Sequence, residues 1–293
     1  MTGRVKGTLY VLICVALWAL IPVVSKMGQT SLDNHQFLFW SSLVSFITII
    51  SSVIFTGKIN EFKTYQLMDW GYFSFLGILG TYIYYLFLYL GYSKATGMEV
   101  LVIQYTWPIL IVIFSVFILK ERLNLRKTVA IILGFLGVLV VLTKGDFSSV
   151  NINNAPVISL VGAGAACFAL FSVLSKKIKK EPLTVVTVYL LTACIASFIS
   201  MLYFSKFALP SSSEIMPVLL NGILVNGFSY VFWLLALRST EASYLAPFVF
   251  ITPILSAVYL IVIFDEPVVD AYAVGLLLVI TGGLVNSFFV RTP

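Results

Sequence analysis

Aromatic and amide side chains lie inside long apolar stretches of this sequence, at spacings suited to binding a small molecule. Tyr82, Tyr85 and Tyr89 follow one another at intervals of three and four residues, which places their rings on one face of a helix. Similar side chains occur in the same and later stretches, at Gln104, Trp107, Asn226, Ser229, Tyr230 and Trp233. An aromatic box with two amides suits a flat amphipathic ligand, held by stacking and, for a cation, by cation–π attraction.

Each of these residues also has a purely structural interpretation. Tyr and Trp anchor helices at membrane interfaces or simply pack, and Tyr89, near the end of its stretch, is expected to be such an anchor. Polar groups deep in a bilayer need a partner or a water-filled cavity. The sequence leaves open whether the deeper Tyr82, Tyr85, Gln104 and Asn226 face a cavity.

Prolines are predicted to interrupt two of the helices beside these side chains. Pro108 directly follows Trp107, and Pro247 and Pro253 lie in a later apolar stretch. A proline ring removes one backbone donor and loosens the preceding turn. The carbonyl groups freed there are expected to bind an ammonium group or another polar part of a ligand.

The elements that carry these residues are predicted to be membrane-spanning helices. The chain is 60% apolar and 10% charged, whereas soluble domains are about 25% charged. A helix of about 20 apolar residues spans a bilayer, and ten such runs occur, at 8–28, 37–56, 69–92, 98–119, 127–143, 157–175, 184–204, 214–237, 242–264 and 270–290. The predicted fold is therefore an all-α integral membrane protein with ten transmembrane helices.

The distribution of cations predicts the orientation of these helices. With the N-terminus in the cytoplasm, fourteen Lys and Arg residues fall on the cytoplasmic side and four, Lys26, Lys94, Lys144 and Lys206, on the other side. The positive-inside rule then places both termini in the cytoplasm, in a multi-pass protein of the cell membrane. The net charge of +6 matches anionic lipid on that face and requires no nucleic-acid partner.

The two halves of the sequence resemble each other. The triplet Pro-Ile-Leu at 108–110 reappears 145 positions later at 253–255, and Tyr85 and Gly137 have counterparts at the same distance. Nearer the N-terminus, "LWALIPVVSK" (17–26) aligns with "CFALFSVLSK" (167–176). The predicted repeats, 1–147 and 155–293, contain five helices each, so the second enters the membrane from the opposite side. Inverted repeats are typical of carriers that expose a central site alternately to each side.

These features resemble the ten-helix EamA-type branch of the drug/metabolite transporter superfamily, over essentially the whole chain. The resemblance rests on the paired halves, the proline in helices 4 and 9, and Glu121 and Glu266 in "LKERL" and "FDEPV", each before a short helix with late glycines. These glutamates are expected to cap helices or pair with cations. The stretch "IQYTWPIL" is similar to one in aromatic amino-acid exporters. The resemblance implies a cavity lined by helices 1, 3, 4, 6, 8 and 9 and export of amino acids or amphipathic metabolites. Many relatives have an arginine where Trp40 lies here, so no role of that arginine is carried over.

Charged residues near the helix ends are the candidates for a proton or gate function. All twelve acidic residues lie near helix ends or in loops, so a central carboxylate, the usual proton carrier in such transporters, is missing. Glu99 and Glu214 are the acids placed to reach a cavity. Lys26 and Lys176, at matching positions, are either gate residues or lysines that snorkel to the interface. We expect no obligatory proton coupling through a central acid, which leaves facilitated diffusion or protonation at a peripheral acid such as Glu99.

Several classes of protein are disfavoured by the sequence. Cys14, Cys167 and Cys194 lie within predicted helices without a CxxC spacing, and no P-loop, dinucleotide or HExxH motif occurs. We therefore expect no enzyme and no cofactor or metal. A sensor domain has no room in the loops, and the inverted design argues against a channel. The sequence predicts a carrier, monomeric or homodimeric, that exports a small-molecule substrate: aromatic or other neutral amino acids or related metabolites. Export of toxic amphipathic cations is the alternative; a sensor or intramembrane enzyme is less favoured.

Overall fold

The computed structural model of the chain describes residues 3–95, 97–149, 154–265 and 268–288. Within these residues, nine helices are long and apolar enough to cross a membrane. In chain order they are α1 (Gly3–Gly28), α2 (Asn34–Phe55), α3 (Leu67–Lys94), α4 (Val100–Leu119), α5 (Leu125–Thr143), α6 (Ala155–Ser175), α7 (Pro182–Phe204), α8 (Ser212–Ser239) and α9 (Ala242–Phe264). A further apolar helix, α10, spans Asp270–Phe288. Short 3₁₀ helices lie at Lys58–Thr64 and Phe147–Ser149. The predicted all-helical membrane architecture is confirmed for the described residues.

The outer surface of the bundle carries large apolar side chains. Phe55, Leu67 and Phe117 are 89%, 90% and 76% exposed, respectively. Water would oppose exposing so much apolar surface, whereas lipid acyl chains accommodate it. This is the exterior expected of a multi-pass membrane protein.

Side-chain caps begin several helices close to where the apolar runs were predicted to start. The Asp33 carboxylate accepts hydrogen bonds from the backbone of residues 35 and 36 before α2. Asn124 caps α5 and Glu181 caps α7 in the same way. These caps satisfy backbone donors that a helix N-terminus leaves without partners.

Five of the long helices are interrupted, and the interruptions lie near the middle of the bundle. In α1 the helix breaks between Trp18 and Ile21, ahead of Pro22. In α4 it breaks between Gln104 and Trp107, ahead of Pro108. Helices α3 and α8 contain π-helical segments at Ile78–Ile83 and Asn221–Phe228, and α9 becomes a 3₁₀ helix at Ala246–Ile251. Pro247 lies in that 3₁₀ segment, and Pro253 follows it at the start of the next helical turn.

Features of the first half of the chain recur 145 positions later. Helix α5, Leu125–Thr143, and helix α10, Asp270–Phe288, have bounds that differ by that number at both ends. Lys120 and Asp265 are separated by the same number, and each ends its helix with a left-handed backbone, φ 55° and 54°. The corresponding helices also pack on each other, α2 on α7 and α5 on α10.

Glycines permit the close approach of α5 and α10. A Cβ atom on Gly137 would lie 2.8 Å from the carbonyl oxygen of Gly275, and one on Gly282 would lie 2.9 Å from that of Ala130. Gly134 packs in the same way against the Phe250 ring. Small residues of this kind let membrane helices approach closely.

Contacts between the loops show which connections lie together at each end of the bundle. At one end Lys58 pairs with Glu181 across the α2–α3 and α6–α7 connections, at 2.5 Å, and the start of α1 packs against Ser239. We call it the cation-rich end, because all described members of the predicted cytoplasmic set of fourteen lie on its connections or helix ends. At the cation-poor end, Gln36 donates to the Lys206 carbonyl at 2.7 Å.

Candidate functional site

Four large aromatic rings lie together inside the bundle, and we call them the aromatic cluster. They are Trp18 of α1, Trp107 of α4, Phe168 of α6 and Trp233 of α8, all buried. The distances between ring centroids in contact range from 4.9 to 6.0 Å. The shortest joins Trp107 to Phe168 and the longest joins Trp18 to Trp107. Most of these contacts are edge-to-face, the geometry that aromatic quadrupoles favour. The cluster joins helices from both halves of the chain.

Hydrogen bonds from two indole rings fix the cluster. The Trp18 Nε1 group donates to the Ser229 hydroxyl at 2.8 Å. The Trp233 Nε1 group donates to the Ser172 hydroxyl at 3.0 Å. Both serines are fully buried. Because the scaffold satisfies these N–H groups, the apolar ring faces are left for packing or for a ligand.

A small cavity of about 20 Å³ adjoins the cluster. Its walls are Trp18, Ile21, Tyr84, Tyr85, Gln104, Tyr105, Trp107, Phe168, Val249 and Thr252. This volume holds about one water molecule, so the centre is closed in this conformation. The walls come from α1, α3, α4, α6 and α9, and α8 supports them through Trp233 and Ser229.

Polar groups enter this mostly apolar cavity at two helix breaks. The Gln104 amide donates to the Tyr84 hydroxyl at 2.9 Å and accepts from the Tyr92 hydroxyl at 3.3 Å. Across the cavity, the hydroxyl of Thr252 is buried and has no hydrogen-bond partner among the described residues. Gln104 ends the first segment of α4, four residues before Pro108. Because proline has no backbone N–H, it cannot donate a helical hydrogen bond to the Gln104 carbonyl. The cavity therefore combines aromatic walls with a few polar atoms.

The predicted tyrosine face is only partly formed. Tyr85 is buried beside Tyr89, with ring centroids 5.6 Å apart, whereas Tyr82 is half-buried and does not line the central cavity. Tyr82 itself lies in the π-helical segment Ile78–Ile83, where the helical repeat differs from the α-helical repeat assumed for the three rings. Tyr84 takes the cavity position instead. The Tyr230 hydroxyl donates to the carbonyl of residue 80 at 2.7 Å.

A second buried polar group lies behind the cavity, between α2, α3 and α8. Asn221 donates to the Ser41 hydroxyl at 2.8 Å and to the Tyr89 hydroxyl at 3.3 Å. The Asn226 side chain lies beside the same tyrosine, and its Oδ1 atom has no partner among the described residues. Tyr89 is thus fully buried and is not the interface anchor that its position in the sequence suggested.

Larger cavities lie toward the cation-poor end. One of about 550 Å³ is bordered by Lys26, Asp33 and Tyr92, among others. Another, of about 150 Å³, shares walls with it at Leu101 and with the central cavity at Tyr105. The ammonium group of Lys26 lies 4.1 Å from the centre of the Phe264 ring. These spaces form a series that leads from the cation-poor end to the aromatic cluster.

A charged network ties the cation-rich end together. The Glu121 carboxylate accepts hydrogen bonds from the backbone N–H groups of Ala242 and Ser243, both at 2.9 Å, and from the Ser243 hydroxyl at 2.6 Å. Lys176 lies 3.8 Å from it and donates to the Leu237 and Thr240 carbonyls. Burial lowers the pKa of the Lys176 ammonium, and the nearby Glu121 carboxylate partly opposes that effect. Glu121 therefore caps α9, as its helix-end position predicted.

The acids singled out as proton candidates have different outcomes. The Glu214 carboxylate accepts hydrogen bonds from the backbone N–H groups of Ser31 and Leu32, both at 2.8 Å, and from that of Ser211 at 3.0 Å. It thereby caps α8 and holds the α1–α2 loop, away from the central cavity. The side chain of Glu99 and the whole of Glu266 lie outside the described residues. Among the described residues, no group of three His, Cys, Asp or Glu side chains is arranged to hold a metal ion.

Seven residues of the central cavity were not predicted from the sequence: Trp18, Ile21, Tyr84, Tyr105, Phe168, Val249 and Thr252. A signal for some of them was present. Trp18 and Phe168 occupy the same position in the aligned segments at 17–26 and 167–176, and Thr252 is the counterpart of Trp107 at a distance of 145. Matching positions in the aligned segments were therefore a better guide to the cavity walls than the number of polar side chains in one helix.

Comparison with known proteins adds independent information. The sequence profile of the EamA-like transporter family matches residues 5–143 and again residues 155–288. The aromatic amino acid exporter YddG of Ancylobacter novellus is 26% identical over 217 residues, which cover 73% of this chain and 75% of that protein. The S-adenosylmethionine uptake transporter of Rickettsia prowazekii is 26% identical over 268 residues, which cover 89% of this chain and 85% of that protein. A solved crystal structure matches with a TM-score of 0.87 at 21% identity, covering 99% of this chain and 100% of that one, so the two share a fold.

Proposed function

Because this chain belongs to the EamA-like transporter family, we propose that it is a secondary transporter that exports aromatic or other neutral amino acids, or related small metabolites. The observation that carries this proposal is the aromatic cluster beside the Gln104 amide and the Thr252 hydroxyl. Stacking on the indole rings would hold an apolar side chain. The polar atoms at the helix breaks would hold its amino and carboxyl groups. The name of the similar exporter, YddG, agrees with this substrate class.

The transporter works by alternating access between two inverted repeats, residues 1–147 and 155–293, with ten transmembrane helices in total. The two segments that match the family separately, and the helix bounds that recur after 145 positions, support this division. The excess of cations at one end supports a cytoplasmic location for both termini in the cell membrane. Both repeats contribute to the cavity, as expected when the site lies at the repeat interface.

The cavity series supports a gate at each end of the substrate path. At the cation-rich end, Glu121, Lys176 and Ser243 link α4, α6 and α9 and close the cytoplasmic side. Toward the cation-poor end, Tyr92 and Gln104 separate the 550 Å³ cavity from the centre, and Lys26 borders that cavity. Substrate would reach the centre from the cytoplasm when the first gate opens, and leave past Tyr92 when the second opens.

Transport is proposed to be uncoupled from protons. The described residues that line the central cavity include no carboxylate. Glu214 is occupied by its backbone and hydroxyl donors. Without a carboxylate among the described walls of the central cavity to carry a proton, the substrate would move down its own gradient.

Amphipathic cations are a second candidate substrate class. Two indole rings, those of Trp18 and Trp107, border a cavity whose described walls include no carboxylate, and such rings attract cations through their faces. The similar uptake transporter is named for S-adenosylmethionine, a substrate of a different class from amino acids. Competition between cations and amino acids distinguishes the two candidates.

Counterflow in proteoliposomes tests the proposal. Vesicles are loaded with unlabelled amino acids, one per preparation, and receive labelled tryptophan, threonine or lysine outside. Accumulation of one class above protein-free vesicles, unchanged when the pH gradient is collapsed, is the expected result. Accumulation that disappears with the gradient would contradict uncoupled transport. Accumulation of labelled tetraphenylphosphonium above protein-free vesicles, with no amino-acid exchange, would favour the cation alternative. Absence of exchange for every amino acid would overturn the proposed substrate class.

A further inference from the structure

A basic cavity of about 280 Å³ lies at the cation-rich end, apart from the proposed substrate path. It lies among the start of α1, the start of α5, the α8–α9 connection and the end of α10. Its walls are Arg4, Arg122, Asn124, Arg126, Lys127, Glu241, Tyr244 and Asn286. It shares none of these residues with the central cavity or with the two cavities toward the other end.

The charges in this cavity are strongly unbalanced. Four cationic side chains line it, together with one carboxylate, that of Glu241. Lys127 pairs with that carboxylate at 3.0 Å and also donates to the Ser243 hydroxyl at 2.8 Å, so the carboxylate's charge is already offset. The described walls carry a net charge of +3, from four cations and one carboxylate, and three of the cations are guanidinium groups, those of Arg4, Arg122 and Arg126. A guanidinium group can donate two parallel hydrogen bonds to two oxygens of one phosphate group.

The floor and the rim of the cavity differ in burial. Lys127, Tyr244 and Asn286 are buried and form a fixed floor, in which the Asn286 amide donates to the Tyr244 carbonyl at 2.7 Å. The Arg4 guanidinium lies 5.6 Å from the centre of the Tyr244 ring. Arg122 and Arg126 are exposed at the rim. An anion would thus enter past exposed arginine side chains onto a buried polar surface.

Apolar surface flanks the basic cavity. Val5 and Leu9, next to Arg4 on α1, are 50% and 49% exposed, and Leu125, next to Arg126, is 78% exposed. Leu284, at the end of α10, is 46% exposed. A free phosphate ion would gain nothing from contact with these apolar side chains, whereas the acyl chains of a lipid would cover them. The combination of guanidinium groups and flanking apolar surface distinguishes lipid from a soluble anion.

We infer that the basic cavity is a binding site for the phosphate headgroup of an anionic phospholipid. Basic pockets between transmembrane helices on the cytoplasmic side bind such headgroups. Lys127 on the cavity floor contacts Ser243, which in turn contacts Glu121 of the closing network. A lipid bound there therefore stabilises the closed cation-rich end. This inference does not depend on which substrate the protein transports.

Thermal unfolding of the purified protein in detergent tests the site. Dioctanoyl phosphatidylglycerol is titrated, with dioctanoyl phosphatidylcholine and inorganic phosphate at equal ionic strength as comparisons. Phosphatidylglycerol is expected to raise the unfolding midpoint, and phosphatidylcholine is not. The double variant R122Q/R126Q should bind phosphatidylglycerol at least about tenfold more weakly. The matched control K177Q/K179Q removes two exposed cations from the α6–α7 connection at the same end and should bind like the parent.

Each contrary outcome has a defined meaning. An equal loss of affinity in both double variants would overturn the site, since general surface charge would then explain the binding. Unchanged affinity in R122Q/R126Q would overturn it as well. If inorganic phosphate alone reproduced the full shift, the lipid assignment would be wrong. Arg4→Gln provides an independent variant on a different helix and should weaken phosphatidylglycerol binding while phosphatidylcholine remains without effect.

Discussion

The rings of Trp18 and Phe168 meet edge to face, with centroids 5.9 Å apart and planes at 80°. The two residues are 150 positions apart and align with each other in the two halves of the sequence. Equivalent residues of two repeats can touch only near the axis that relates the repeats. The contact therefore indicates that the aromatic cluster lies on the axis of the proposed repeats, where a carrier of this design has its central site.

Trp107→Phe should weaken substrate binding while leaving the fold intact. Phenylalanine keeps an apolar ring but loses part of the contact with Trp18, Phe168 and Trp233. An aromatic contact contributes about 0.5–1.5 kcal/mol, so the transport KM is expected to rise about two- to tenfold. Trp40→Phe is the control, because Trp40 is outside the cluster and donates to the Ala208 carbonyl at 2.8 Å. Equal effects of the two substitutions would contradict the assignment of the cluster.

Gln104→Leu should weaken the binding of the polar part of the substrate. The substitution keeps the approximate size but removes the amide that contacts Tyr84 and Tyr92. Loss of a buried hydrogen-bonding group costs about 1–3 kcal/mol, so KM should rise about tenfold or more for amino acids. Transport assays over a range of substrate concentrations measure this change. Gln66→Leu, at an exposed position, should leave KM unchanged; a normal KM for Gln104→Leu would exclude the amide from the site.

Glu121→Gln should destabilise the cation-rich end. Both carboxylate oxygens accept hydrogen bonds, from Ala242 and from Ser243, and an amide offers only one acceptor oxygen. The unpaired donor should lower the free energy of unfolding by about 1–3 kcal/mol, measured as a lower melting temperature in detergent. Glu61→Gln, on the exposed 3₁₀ helix at the same end, is the control. Comparable melting temperatures for the two variants would show that the Glu121 contacts do not support the closed end.

Glu214→Gln separates a structural role from a proton-carrying one. Its carboxylate holds the loop at Ser31 and Leu32, so the variant should melt at a lower temperature, by about 1–3 kcal/mol in unfolding free energy. The pH dependence of transport should remain that of the parent. A flattened pH profile with unchanged stability would instead identify Glu214 as a proton site.

Gly137→Ala should disturb the packing of α5 on α10. An added Cβ would lie 2.8 Å from the Gly275 carbonyl oxygen, and overpacking of this kind costs about 1–3 kcal/mol. Gly283→Ala is the matched control, because a Cβ at Gly283 meets no atom within 4 Å. Since alanine favours helix over glycine by about 1 kcal/mol, the control should be as stable as the parent or more so. Melting temperatures decide the matter; two variants of equal stability would refute the close contact.

The sequence alone predicts the all-helical membrane architecture, the approximate helix bounds and the interruptions near the prolines of α4 and α9. These properties are local: hydropathy over about 20 residues decides whether a segment spans a bilayer, and a proline acts on its own preceding turn. The internal similarity could also be detected in the sequence, because Pro108 and Pro253 are separated by 145 positions, as are Tyr85 and Tyr230.

The side chains that meet in the centre are known from the folded structure and could not be predicted from the sequence pattern. In a soluble helix the polar face marks the exterior, but lipid is as apolar as the protein interior, so the sequence pattern scarcely distinguishes the two faces. Tyr84 rather than Tyr82 lines the cavity, and Tyr82 lies within a π-helical turn that hydropathy does not predict. Thr252 and Glu214 acquire their surroundings from segments distant in the chain. Such contacts depend on helix rotation and packing, which hydropathy does not encode.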